Sequence, residues 1–348
     1  MDKLMVLLPG EPSERLNNML KYSIEGYDYE IIKYSNQIES MDNRRILFAV
    51  ELGNTGINTE LYKMLEKIIS NKDFLENSVG SVIINSESEL FTRNIARKII
   101  LYANMAGCIF PGRPLSEATG SLGNLNTYRK VYDMSLEDVS MKNCRKVVEQ
   151  LMNFNIIKYK KPNILILHAS DCETSNTIAL WKMVKNNLID YNINEIHIKN
   201  GSVIDCKGCM YKECKHYSES NSCFYGGIMV EELYPAIISC DVLIMLCPNY
   251  NDSIGADMTA VINRLTALFR KFKFYEKYVY SIIVSGHSGS DILAEQLISA
   301  LNINKTFILP PKFALMETAN DIGDIEKIEN IGEKAAEFAK NIKNCVIN

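Results

Sequence analysis

Four cysteines lie within one short polar segment, with the spacing Cys206-x2-Cys209-x4-Cys214-x8-Cys223. The other cysteines of the 348-residue chain are dispersed. Thiolates are ligands for iron–sulfur clusters and for zinc, and a reducing compartment disfavours disulfides. The spacing therefore indicates metal or redox chemistry. From the residues alone, three alternatives stay open: a 4Fe-4S cluster, a tetrahedral zinc ion, or unmetallated thiols.

A hydroxyl-rich turn over residues 169–177 is a second candidate site. It lies between a predicted strand and a predicted helix that carries Leu180 and Trp181. Backbone N–H groups at a helix N-terminus, together with Ser and Thr hydroxyls, bind phosphate without a lysine. An ordinary Ser/Thr helix cap would explain the same residues. The candidate phosphate ligands are Ser170, Ser175, Asn176 and Thr177.

Two further loops contain residues suited to binding a planar cofactor. One is 248–255, in which the ring of Tyr250 offers a stacking face. The other is 285–289, in which His287 could donate a hydrogen bond or a proton. A surface tyrosine and a solvated histidine are the plain alternatives.

The elements that position these loops follow an α/β pattern from Pro162 onward. Short, mostly apolar runs alternate with helical stretches, which is typical of a parallel sheet covered on both faces. Such a sheet binds ligands beyond the carboxyl ends of its strands, and the cysteine loop is predicted at that same end. We predict a doubly wound, five-stranded sheet of flavodoxin type, with strands at Asn163 to His168, Glu195 to Lys199, Asp241 to Cys247, Tyr278 to Ser285 and Lys305 to Leu309.

The order of these motifs resembles the flavodoxin-like NADPH-dependent FMN reductases over residues 162–345. The turn at Ser170 and Ser175-Asn176-Thr177 resembles their phosphate loop, Asp241 to Leu265 resembles their third strand with its Pro-x-Tyr loop, and 285–289 resembles their Gly-rich loop. The resemblance implies that FMN binds with its phosphate on the turn, and it makes His287 the catalytic candidate. It implies that the ring is flanked by Pro248, Asn249, Tyr250, Asn251, Ser253, Gly286, His287, Ser288 and Gly289. Asp171, Cys172 and Glu173 depart from the family pattern, and the two carboxylates should face outward if FMN binds.

The cysteine loop is similar to the compact motif of the iron–sulfur flavoproteins, although its later gaps are wider and His216 lies in the last one. This resemblance implies an FMN-dependent oxidoreductase that moves electrons from NAD(P)H or a reduced carrier through FMN to a cluster or a small-molecule acceptor. The alternatives are a cluster-free NAD(P)H-dependent quinone, nitro or FMN reductase, a non-enzymatic flavin carrier or redox sensor, and a scaffold that has lost its site.

The first half of the chain looks like a reduced copy of the second. Residues 46–68 align without a gap on residues 243–265. We therefore predict a degenerate flavodoxin-like domain over 1–153, a linker over 154–162 and the FMN-binding domain over 162–348. The first half carries Pro9-Gly10-Glu11-Pro12-Ser13 in place of a phosphate loop, so we expect that it does not bind FMN. It could instead act as a built-in partner of the second half.

Charge and hydropathy exclude several other classes of protein. The net charge is −4 and no Lys/Arg block is present, which argues against a nucleic-acid partner. No apolar stretch is long enough for a membrane span. We expect a cytoplasmic protein whose partners are small-molecule electron donors and acceptors, either as a homodimer or as an intrachain pseudo-dimer.

Overall fold

The computed structural model describes residues 3–170 and 174–347. The chain divides into two compact units, Met1–Asn155 and Ile156–Asn348, and the division falls inside the predicted linker. Asp171, Cys172 and Glu173, on which the predicted departure from the family pattern rests, lie outside the described residues.

The first unit contains a five-stranded parallel sheet in the order β2-β1-β3-β4-β5. Its strands are β1 Leu4–Leu7, β2 Tyr29–Ile32, β3 Arg45–Leu52, β4 Val79–Ser86 and β5 Leu115–Ala118. Its helices are α1 Glu14–Ile24, α2 Thr59–Ile69, α3 Thr92–Met105, α4 Asn126–Tyr132 and α5 Leu136–Asn153, with 3-10 turns at Ser35–Gln37 and Gly123–Leu125.

The second unit contains a parallel sheet with the same topology, in the order β7-β6-β8-β9-β10. Its strands are β6 Asn163–His168, β7 Asn192–His197, β8 Val242–Pro248, β9 Tyr278–Ser285 and β10 Ala314–Thr318. Its helices are α6 Asn176–Lys185, α7 Tyr211–Glu219, α8 Tyr234–Ser239, α9 Ala256–Lys271, α10 Ser290–Leu297 and α11 Ile331–Val346. Two π-helical segments, Met229–Leu233 and Ile298–Ile303, and a 3-10 turn at Asp324–Lys327 complete it.

Hydrophobicity explains the order of the strands in each sheet. Every residue of β4 and of β9 is buried, as expected for central strands covered by helices on both faces. The edge strand β7 has no fully buried residue: four of its residues are exposed and two are half-buried. This strand order is that of the flavodoxin-type doubly wound sheet, so the predicted fold class is confirmed, and the first half repeats the topology of the second.

One predicted strand is wrong. Residues 305–309 are largely buried, but they form no strand: Ile308 makes an isolated bridge with Tyr278. Pro310 and Pro311 follow directly, and proline lacks the N–H group that a ladder needs. The fifth strand of the sheet is β10, which begins after these prolines.

No helix in the described part of the chain is long and apolar enough to cross a membrane.

Candidate functional site

The predicted phosphate loop leads from the carboxyl end of β6 into α6. Ser175 caps α6, and its Oγ accepts a hydrogen bond from the backbone N–H of Ile178 at 3.3 Å. Ser170 is buried, and its Oγ has no hydrogen-bond partner among the described residues. A buried hydroxyl without a partner is costly, and this one lies in the loop that leads to the N-terminus of α6, where unpaired N–H groups favour an anionic ligand.

Asn176 has a different role from its neighbours. Its Nδ2 donates to the carbonyl oxygens of Ala319 (3.3 Å) and Asp321 (2.8 Å), and its Oδ1 accepts from the N–H of Gly323 at 3.0 Å. The side chain is therefore committed to the loop after β10, and only the backbone N–H of Asn176 is left for a phosphate. Thr177 is buried beside it.

Two histidines meet at the same edge of the sheet. His168 ends β6 and His197 ends β7, and their rings stack with centroids 4.8 Å apart and an interplanar angle of 3°. His168 is buried, and its Nδ1 has no partner among the described residues. Burial lowers the pKa of His168, and the neighbouring His197 lowers this pKa further. The charged form of His168 is thus disfavoured in the fold.

The loop after β8 is a tight turn. Tyr250 and Ser253 exchange backbone hydrogen bonds of 3.3 and 3.1 Å, while Asn251 and Asp252 have positive φ angles of 52° and 55°. Two left-handed central residues define a type I′ turn, which Asn and Asp tolerate well. The turn leaves the side chain of Tyr250 57% exposed.

Asn249 ties this turn to the loop after β9. Its Nδ2 lies 3.2 Å from Asp252 Oδ1, 3.1 Å from Ser285 Oγ and 3.3 Å from the carbonyl oxygen of Ser288. Gly289 sits against the same group with a φ of +96°, and a Cβ there would lie 2.3 Å from Asp252 Oδ1. The two loops therefore form one continuous structure that a side chain at position 289 would disrupt.

The structure brings the predicted cofactor residues to neighbouring strand ends of one sheet, those of β6, β8 and β9. The imidazole of His287 is exposed, while its backbone carbonyl accepts a 3.2 Å hydrogen bond from Thr318 Oγ1. The prediction omitted the loop after β10. Asn320 belongs there, and a Cβ at Gly286 would lie 2.8 Å from its Oδ1. The polar run Thr318 to Asp321 could have indicated this loop. Because the fifth strand was predicted at residues 305–309, the run was not recognised as following a strand end.

These residues fit FMN. The Ser170 hydroxyl, which lacks a partner in the described part of the chain, and the α6 N-terminus can bind the phosphate. A side chain at Gly286 would collide with Asn320, and one at Gly289 would collide with Asp252. Because both residues are glycines, the loops that would flank the flavin ring can pack closely together.

The four clustered cysteines line a single cavity with a volume of about 120 Å³. Tyr217, Phe224 and Tyr225 form aromatic walls, with edge-to-face ring contacts of 5.6 and 5.2 Å. Cys209 Sγ lies 3.9 Å from the Tyr225 hydroxyl, and this contact raises the pKa of Tyr225. Two arginines also line the cavity, Arg264 and Arg270.

This cavity lies along α9 rather than at the edge of the sheet. The loop leaves the edge where the Gly201 N–H donates to Asp257 Oδ1 (3.1 Å), then runs down the helix past Asn263, whose Nδ2 donates to Asp205 Oδ1 (3.0 Å), to Lys271. At 1.5 Å per residue, Arg264 lies about 10 Å from Asp257 along the axis. Within residues 3–170 and 174–347, no three His, Cys, Asp or Glu side chains form a group that could hold a metal ion.

The remaining described cysteines are packing residues. Burial raises the pKa of Cys247, at the end of β8, to about 12, so this thiol is not a reactive group beside the cofactor. Burial also raises the pKa of each of the others, which are Cys108, Cys144, Cys240 and Cys345.

In the first unit, a carboxylate lies at the N-terminus of α1, the helix that corresponds to α6 of the second unit. Ser13 caps α1, and Glu51, from β3, accepts hydrogen bonds from the Ser13 N–H (3.0 Å) and the Ser13 Oγ–H (2.6 Å). Asn85 Nδ2 donates to the other oxygen of Glu51 at 2.8 Å. The helix N-terminus that would bind an external anion is thus already bonded to a carboxylate of the chain.

Residues 162–321 match the family model described as NADPH-dependent FMN reductase, a little less than half of the chain. No curated protein matches the sequence. Among solved structures, the chain is similar to RosB with a bound 8-demethyl-8-formylriboflavin-5'-phosphate intermediate, at 13% identity over 53% of this chain and 81% of that chain, with a TM-score of 0.40. It is similar to the NAD(P)H:quinone oxidoreductase of Methanothermobacter marburgensis, at 15% identity over 53% of this chain and 98% of that chain, with a TM-score of 0.39. It is also similar to flavodoxin 2 of Bacillus cereus, at 13% identity over 52% of this chain and 98% of that chain, with a TM-score of 0.32.

Proposed function

Because residues 162–321 match the family model of the NADPH-dependent FMN reductases, we propose that this protein is an FMN-dependent oxidoreductase that passes electrons from NAD(P)H to a small-molecule acceptor. The observation that supports the FMN site best is Ser170. Its hydroxyl is buried, lacks a partner among the described residues and lies in the loop that leads to the N-terminus of α6.

In this proposal, each part of the site has a separate role in binding FMN or in the reaction. The first N–H groups of α6 and the hydroxyls of Ser170 and Ser175 donate to the phosphate, which the helix dipole also favours. The loops joined by Asn249 flank the ring, and the exposed face of Tyr250 stacks near it. His287 donates a hydrogen bond or a proton at the ring edge or to the substrate. When bound, FMN supplies hydride acceptance and single-electron release.

The first test is the visible spectrum and FMN content of protein purified without oxygen. We expect one FMN per chain. Ser170→Ala should weaken FMN binding by about 10- to 100-fold, since a hydrogen bond to a charged group contributes roughly 1.5–3 kcal/mol. The control is Ser202→Ala, an exposed serine outside the site. A colourless protein that does not bind added FMN would refute the proposal.

Turnover separates an enzyme from an electron carrier. Steady-state oxidation of NADPH with an artificial acceptor supports an enzyme. Flavin that only dithionite reduces supports a carrier or redox sensor.

The cysteine cavity supports a second, finer proposal: that it holds a 4Fe-4S cluster that exchanges electrons with FMN. Its support is that all four cysteines line one cavity, in a chain whose other described cysteines are buried. About four irons per chain in the anaerobic protein would support the cluster. Zinc would indicate the tetrahedral site. If the protein contains neither iron nor zinc, a cluster-free quinone, nitro or FMN reductase is supported instead.

A further inference from the structure

One surface of the second unit combines exposed apolar side chains with cations. It lies where the cysteine loop and α7 pack along α9, and three of its apolar side chains are strongly exposed: Met210 (71%), Tyr211 (59%) and Phe224 (63%). Met, Tyr, Phe and Arg are enriched at protein interfaces. We define this aromatic–basic face by Lys207, Met210, Tyr211, Phe224, Tyr225 and Arg270.

Two cations lie on aromatic rings of this face. The Arg270 guanidinium lies 4.5 Å from the centroid of the Tyr211 ring, and Lys207 Nζ lies 5.6 Å from that of Tyr225. Phe224 connects them, because it contacts Tyr225 edge to face and lines the same cavity as Arg270. Neither cation forms an ion pair within the described residues. Both charges therefore remain available to the carboxylates of a partner.

The charge of the surrounding chain is positive, although the whole chain carries −4. In residues 204–225 three lysines balance three acidic residues, which are Asp205, Glu213 and Glu219. Residues 263–273 add four cations and no acidic residue. The carboxylate of Asp205 is engaged within the chain, since its Oδ1 accepts hydrogen bonds from Asn263 Nδ2 (3.0 Å) and the Cys206 N–H (2.6 Å). The excess positive charge favours an acidic partner.

We propose that the aromatic–basic face binds an acidic peptide segment of a partner protein. Carboxylates of the segment pair with Lys207 and Arg270, and an apolar side chain of the segment packs on Phe224 and Tyr211. An anionic bilayer fits this face less well, because its uniform negative charge also meets the exposed Glu213. A peptide can place its carboxylates opposite the cations alone. This inference goes beyond the proposed function and needs neither a flavin nor a metal in the cavity.

The probe is a short, fluorescein-labelled peptide of Asp and Glu with one central Phe, and its binding to the full-length protein is followed by fluorescence anisotropy. Two comparison peptides have Ala in place of Phe, or Lys in place of every acidic residue. Arg270→Gln removes a charge and Phe224→Ala removes an apolar contact, each at an exposed position. The matched controls are Lys340→Gln in α11 and Tyr22→Ala in α1, which are exposed and outside the face.

We expect saturable binding of the Phe peptide that weakens as salt is added, because salt screens exposed charges. Arg270→Gln and Phe224→Ala should each weaken binding by about 5- to 30-fold, the range usual for Arg and aromatic residues at the centre of an interface. The Ala peptide should lose a similar factor. Both control variants should stay within about twofold of the parent protein.

No saturable binding of the Phe peptide would overturn the proposal, as would equal binding of the Lys peptide or parent affinity in both variants of the face. Vesicles of phosphatidylcholine and phosphatidylglycerol provide a second probe. If they bind the parent protein but not Arg270→Gln, and the Phe peptide does not bind, the face contacts a membrane surface and the proposal is wrong. Circular dichroism checks the fold of each variant, and FMN content on the same samples tests the proposed function separately.

Discussion

Two residues of the candidate phosphate loop, Ser170 and Asn176, differ in their hydrogen-bond partners. Ser170 has a buried hydroxyl with no partner among the described residues, whereas every polar atom of the Asn176 side chain is bonded to the loop after β10. The two residues look equivalent in the sequence because both can donate hydrogen bonds. Only their hydrogen-bond partners in the fold distinguish Ser170, the candidate phosphate ligand, from Asn176, which holds the loop after β10 in place.

Gly289 is required by both its backbone conformation and its neighbours. Gly289→Ala places a methyl group 2.3 Å from Asp252 Oδ1 at a φ of +96°, a conformation that costs an L-residue about 1–2 kcal/mol. We expect weaker FMN binding, measured by flavin fluorescence, and a lower unfolding temperature. Gly332→Ala is the control, since nothing lies within 4 Å of its added Cβ in α11. Equal FMN affinity in both variants would contradict the role assigned to Gly289.

His168 makes the stability of the second unit depend on pH. Its pKa is lowered in the fold from 6.5, so below about pH 6.5 the unfolded chain binds a proton that the folded chain does not. Stability is therefore complete above this pH and falls as the pH drops through it. Urea unfolding followed by Trp181, the single tryptophan, should show this loss between pH 7.5 and 5.5. His168→Gln should reduce the loss, and His216→Gln, an exposed histidine, should not.

At the scale of elements, the N-terminus of α1 carries an anion of the chain's own. Glu51 accepts three hydrogen bonds there from Ser13 and Asn85, so this carboxylate competes with any phosphate. This carboxylate adds a physical reason to the prediction that the first unit does not bind FMN, which stays a prediction. The corresponding helix of the second unit, α6, follows the loop that contains Ser170, whose hydroxyl lacks a partner among the described residues.

Glu51→Ala should destabilise the first unit by about 1–3 kcal/mol, because buried donors lose their acceptor. Phosphate or sulfate should restore part of the lost stability by binding at the vacated helix N-terminus. Hydrogen exchange at the amide of Leu16, in the first turn of α1, measures both effects. Glu30→Ala, which removes an exposed ion pair with Lys3, is the control and should change little. A loss of protection that neither anion reverses would contradict the role of Glu51 as a substitute for phosphate.

Helix α9 decides where the cysteine loop lies. The order of elements along the chain predicts that this loop starts at the carboxyl edge of the sheet, and it does so at Gly201. Contacts with Asn263, Arg264 and Lys271 then direct it down the helix. Motif spacing contains no information about this path, because it depends on donors that lie on a separate helix.

At the scale of the whole molecule, burial separates two classes of cysteine. Cys206, Cys209, Cys214 and Cys223 are at least partly exposed, whereas the other described cysteines are buried with raised pKa values. Since the thiolate is the reactive form, iodoacetamide should modify the loop cysteines of the native, metal-free protein and spare the buried ones until unfolding. Peptide mass spectrometry identifies the modified sites. Rapid labelling of Cys247 would contradict this assignment.

The sequence by itself determined that each half of the chain has an α/β fold. It also determined four of the five strands of the second unit and the loops of the candidate flavin site. These follow from local hydrophobic periodicity and from the rule that parallel strands place their ends together. The tertiary structure decided the position of β10, the bracing role of Asn176, the carboxylate at the N-terminus of α1 and the burial of Arg264 beside the cysteines. Each of these depends on a partner distant in the chain, so hydrogen bonding and burial had to be seen in three dimensions.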